Sequence, residues 1–86
     1  WYLAKGFNCY PGHGANDMEN PPTSDCGTMT VRECQARCEA TPGCSAVTFL
    51  GADHSGVGKC FRKNDVDLAS CDHGTTYDTY IAAKPF

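Results

Sequence analysis

A chain of 86 residues with ten acidic and seven basic side chains, net charge −3, lacks the basic excess that nucleic acid demands. It also has no apolar run near the ~20 residues that span a bilayer, which excludes membrane insertion by a helix. A single domain over residues 1–86 buries only about 60% of its unfolded surface, and seven cysteines offer the staples that so small a core needs.

Taken in order, Trp1 to Tyr10 is short and aromatic-rich, as a first strand would be. Trp1 opens directly into Tyr-Leu-Ala-Lys rather than a signal peptide, so the chain reads as a mature form or a fragment. Pro11 to Cys26 is dense in Gly, Pro, Asn and Asp and reads as one long loop. Thr30 and Glu33 then form a Thr-x-x-Glu capping box, which predicts a helix from about Val31 to Ala40, stopped near Pro42-Gly43. Val31, Cys34 and Cys38 share its inner face at i, i+3 and i+7. Ser45–Leu50 reads as a strand, Gly51–Gly58 as a turn and Lys59–Lys63 as a second strand. An irregular acidic stretch runs through Cys71, and Thr75–Ala82 has the Thr and Tyr content of a closing strand.

Cys34 and Cys38 point outward from one stripe of the helix and are poorly placed to bond each other. Cys38 lies close in sequence to Cys44, across the helix-ending turn, and Cys34 can then reach Cys60 on the next strand. The pattern Glu33-Cys34-x-x-x-Cys38, Pro42-x-Cys44, a strand, then Cys60-Phe-Arg-Lys resembles the PAN/Apple domain family. The upstream Tyr10-Pro-Gly-His-Gly and Asn16-Asp-Met segments are similar to that family's opening strand and first loop, so the resemblance covers nearly the whole chain. It implies an α+β fold, a small disulfide-rich antiparallel sheet cradling one α-helix. It also implies the bridges Cys34–Cys60 and Cys38–Cys44, and many members add one between the terminal strands, here Cys9 with Cys71. Cys26 departs from a six-cysteine pattern and is left as a free or intermolecular thiol; a competing map pairs it with Cys9 or Cys71.

If Cys60 faces the helix, alternation sends Lys59, Phe61 and Lys63 to the opposite face of the sheet. Counting from Cys44 sends Val47 and Phe49 there too, joined by Tyr77 or Tyr80. Such an aromatic surface flanked by lysines can stack on sugars or grip a protein. The blander reading, preferred on grounds of size, folds the Pro11–Cys26 loop over this face as a second small core. His13, His54 and His73 occupy Gly-flanked loops, and His13, His73 and Asp72 are a conceivable zinc set. No H-E-x-x-H or C-x-x-C spacing supports it, and neither the calcium-loop pattern nor a catalytic pairing accompanies Asp65, Asp67 and Asp72.

The expectation is therefore a secreted, non-enzymatic recognition module without a cofactor or metal. Its ligand is an extracellular protein or glycan, met by Lys59, Phe61, Lys63, His13 and Asn16. The rival expectation is a structural subunit of an extracellular filament, coat or matrix, self-associating through Trp1-Tyr2, Phe86 and Cys26.

Overall fold

The computed structural model describes residues 1–21, 24–51 and 56–86. It contains β1 (Tyr2–Ala4), β2 (Asn16–Asp17), β3 (Thr28–Met29), α1 (Val31–Glu39), β4 (Ala46–Leu50), β5 (Gly58–Asn64) and β6 (Tyr77–Ile81), with a 3-10 turn at Leu68–Ser70. The strands form one antiparallel sheet ordered β1-β6-β4-β5-β2, and β3 pairs with the other end of the β5 edge. The fold is the expected α+β arrangement of a small disulfide-bonded sheet and one helix.

Helix α1 starts where the capping box puts it. The Glu33 amide donates to Thr30 Oγ1 at 3.1 Å, and the Thr30 amide donates to Glu33 Oε1 at 2.9 Å. The Thr30 amide, and after it the Thr30 hydroxyl, hold the Glu33 carboxyl below its ordinary pKa. Thr41 and the Pro42-Gly43 turn end the helix, with Gly43 at φ 84, a conformation glycine adopts without steric cost. Cys34 and Cys38 are fully buried and bond to Cys60 and Cys44, so α1 is fastened to the sheet and to its own exit turn.

The main core lies between α1 and the sheet. Met29, Cys34, Cys38, Cys44, Val47, Phe49 and Cys60 form it, and Met18, Cys26, Val31 and Tyr80 pack against its margin. Full burial of a side chain such as Val47 or Phe49 stabilises by about 1.5–3 kcal/mol. Val47 and Phe49 therefore face the helix, against the expectation from the sequence. The count from Cys44 fails because Cys44 precedes β4 and belongs to the helix-exit turn, where its amide donates to Thr41. Parity is set inside the ladder instead: Phe49 lies opposite Cys60, and Val47 lies opposite Tyr80.

Two other expectations need correction. The first strand stops at Ala4, and the chain up to Tyr10 is turn and isolated bridge. The Pro11–Cys26 stretch is not all loop, because Asn16 and Asp17 add a short strand to β5. At this margin Arg62 binds Glu19 through Nε at 2.7 Å and Nη2 at 2.8 Å, and its Nη1 donates to Thr41 Oγ1 at 2.9 Å. The chelating guanidinium holds Glu19 below the usual carboxylate range.

Candidate functional site

The face turned away from α1 carries Ala46 and Thr48 from β4, Phe61 and Lys63 from β5, and Tyr77 and Thr79 from β6. Segments 7–15 and 66–72 cross part of it. The Thr79 hydroxyl donates to the Phe7 carbonyl at 2.9 Å, and Asn8 and Asp72 exchange backbone hydrogen bonds at 2.8 and 3.0 Å. The Cys9–Cys71 disulfide closes this layer, with Ala15, Phe7, Val66 and Leu68 packed around it. Gly14 makes the close approach possible: a Cβ there would lie 2.5 Å from Cys71 Sγ and 2.6 Å from the Asp67 carbonyl. The second small core thus exists, but the Pro11–Cys26 loop joins it only through its first residues, at Ala15, with Phe7, Cys9, Val66, Leu68 and Cys71 supplying the rest, and Phe61 and Tyr77 remain only half-buried.

A cleft of about 200 Å³ opens beside that layer, lined by Asn8, Tyr10, Thr48, Phe61, Lys63 and Tyr77. The Phe61 and Tyr77 rings meet at a tilt, 6.1 Å apart. Tyr10 enters from the covering layer and is held on three sides. Its backbone closes a turn with His13 in which Pro11 takes the first corner and Gly12, at φ 81, the second. The His13 ring stacks on it at 4.5 Å, and its hydroxyl donates to Asp72 Oδ2. That hydrogen bond, reinforced by the carboxylate charge, raises the phenol pKa. His13 Nδ1 lies 3.3 Å from the second Asp72 oxygen.

Lys63 is buried, 3% exposed, and its ammonium pairs with the equally buried Asp17 directly across the β2–β5 ladder. The same ammonium stands 5.6 Å from the Phe61 centroid. The expected lysine-flanked surface is corrected accordingly. Lys63 is neutralised within the fold, and Lys59 is exposed at the far end of β5, opposite Leu50 and Thr28 and outside the cleft lining.

Of the other residues singled out in the sequence, Asn16 donates from Nδ2 to Asp65 at 3.2 Å, away from the cleft. His73 lies against Phe7 at 6.2 Å, so it and His13 have different neighbours, while His54 falls outside the described residues. Among the described residues no three His, Cys, Asp or Glu side chains gather as a metal site would require. Cys26 is a free thiol, half-buried at the edge of the main core. Burial, then the nearby Glu19 charge, push its pKa up. Asn8, Tyr10, Thr48 and Asp17 had escaped the sequence reading.

The PAN domain family model matches residues 8–80. This chain belongs to the PAN domain family. Comparison with curated proteins and with solved structures gave no match. PAN domains are generally non-catalytic modules that bind proteins or carbohydrates in adhesion proteins, and disulfide-rich members are typical of extracellular proteins. No helix among the described residues is long and apolar enough to cross a membrane.

Proposed function

We propose that this PAN domain is a secreted, non-enzymatic recognition module that takes part of a carbohydrate or protein ligand into the cleft between Tyr10, Phe61 and Tyr77. The observation that carries the reading is the cleft itself. Three aromatic rings wall a mainly apolar depression whose lining also includes Asn8, Thr48 and Lys63, beside a layer that covers part of the sheet. Aromatic walls with a few convergent polar groups are the usual composition of small-ligand sites. The three disulfides support an oxidising, extracellular setting. They also hold the cleft walls in place, so little ordering accompanies binding.

The test is a screen of the intact oxidised domain on glycan and extracellular-protein arrays, repeated with Phe61→Ala and Tyr77→Ala. Hits that vanish in both variants, while the variants keep the wild-type circular dichroism, support the reading. Hits that survive both substitutions place recognition elsewhere and overturn it.

A second reading, self-association, is favoured by one observation. Trp1, Tyr2, Leu3 and Phe86 expose 43%, 62%, 46% and 44% of their surface, at and beside the outer strand β1. Trp1 and Phe86 also contact one another at 5.6 Å. Sedimentation velocity across a concentration series tests it: a constant monomer value would remove this reading, and a Trp1→Ala-sensitive shift to larger species would favour it.

A further inference from the structure

We propose that the cleft is selective for an uncharged, hydroxyl-rich ligand, a single neutral pyranose ring, and that the buried Lys63–Asp17 pair sets this selectivity. The inference rests on the reading of the cleft as the ligand site. Three observations narrow the ligand.

Size comes first. A volume of about 200 Å³ is below the roughly 300–1,000 Å³ of sites that enclose drug-sized molecules. One ring fits, with the remainder of a longer ligand outside.

The second is the distribution of polarity. Phe61 and Tyr77 offer half-exposed ring surfaces, and Asn8, Thr48 and Lys63 add polar groups to the same lining. A pyranose has the matching two-sided character: its axial C–H groups form an apolar face for stacking, and its rim of hydroxyls needs donors and acceptors. A purely apolar side chain would offer no partner to the polar surface that the lining exposes.

Charge decides between the remaining classes. Lys63 is the cation nearest the ligand space, and Asp17 compensates it inside the fold. At the rim, Asp72 is engaged by the Tyr10 hydroxyl and by His13. A carboxylate or sulfate entering the cleft would lose water and meet no uncompensated cation among the described residues of its lining, a combination that is strongly unfavourable. An ammonium would meet Lys63, which already stands over the Phe61 ring where a bound cation would otherwise gain. A neutral ring incurs neither penalty.

The experiment uses matched probes that differ in charge at one carbon. Glucose, glucuronate and glucosamine form one series, and galactose, galacturonate and galactosamine the other. Each is titrated into the intact domain at neutral pH, with the aromatic proton signals of Phe61 and Tyr77 followed by NMR. In the series that binds, the neutral member is expected to bind at least about tenfold more tightly than either charged one, a difference of about 1.4 kcal/mol. Its binding is expected to disappear in Phe61→Ala. Asp17→Asn, which removes the compensating charge, is expected to reverse the order in favour of the uronate. If that variant does not fold, the wild-type series still decides.

Tighter binding of a uronate or amino sugar to the wild type, lost in Phe61→Ala, would overturn the neutral-ligand inference while leaving the cleft as the site. Absence of Phe61-dependent binding by all six probes would also overturn it. The broader reading falls only if the array screen, too, yields no ligand sensitive to Phe61 and Tyr77.

Discussion

The two faces of the sheet are built from the same strands and solve different problems. Towards α1, the buried cluster is made of Met29, Val47, Phe49 and bridged cysteines, two disulfides lie within it, and the margin is closed by Arg62 chelating Glu19. Away from α1, the inward positions include Thr48, Thr79 and Lys63, all at least 97% buried, under a thin layer held by one disulfide. The first face keeps its polar groups to the margin. The second retains polar groups at a cost in stability and leaves a cleft beside them. If the cleft is the recognition site proposed above, this fold keeps recognition and stability apart by assigning them to opposite sides of one sheet.

The contrast can be tested hardest at Lys63. Asp17→Ala strands its ammonium without compensation and is expected to cost about 3–5 kcal/mol in urea unfolding. Replacing both partners by Met and Leu should recover most of that loss; failure to recover would mean that the pair also organises the β2–β5 ladder. On the helix side, Cys34→Ser with Cys60→Ser opens a 26-residue span and is expected to cost about 2–5 kcal/mol. A negligible change in midpoint would show that the dry cluster alone fixes α1.

Smaller effects sharpen the picture. Thr30→Ala removes one half of the capping box and should lower stability by about 1 kcal/mol, with the ligand cleft unaffected. Glu19 makes the helix-side margin acid-sensitive. Its folded pKa lies below the unfolded value, so the pair contributes fully above about pH 4.3. That contribution is lost as pH falls through the folded value. Glu19→Gln should flatten the stability profile in this acid range, and an unchanged slope would assign the acid sensitivity to other carboxylates. Least perturbing is the chemistry of Cys26. Because its thiol pKa is raised, alkylation by iodoacetamide should show its inflection at higher pH than a free cysteine does. An inflection at or below the free value would show that Arg62 and Arg37, which favour the thiolate, outweigh burial and Glu19.

How much of this was legible beforehand depended on whether a signal lay inside one element. The helix was, because Thr30, Glu33, the cysteine spacing and Pro42-Gly43 are local and act within a turn of where they sit. The face of β5 was legible from Cys60, which lies within that strand. The face of β4 was not, because Cys44 lies outside the strand and alternation does not carry through a turn. The cleft was half visible: Phe61 follows from strand parity and Tyr77 was one of two candidates with Tyr80, whereas Tyr10 arrives through a turn and an Asp72 contact that is 62 residues distant. Asp17 was hidden for the same reason, since its relation to Lys63 exists only in the ladder, 46 residues away.

Cys60 and Phe61 are neighbours on β5, one bonded to the helix and the other walling the cleft. A slip of one residue would exchange their sides, and the bond to Cys34 forbids it. The proposed ligand site is thus tied to oxidative maturation. A chain whose cysteines have not been joined correctly lacks the bond that pins Phe61 outward, so binding at the proposed site would double as a certificate that folding was completed.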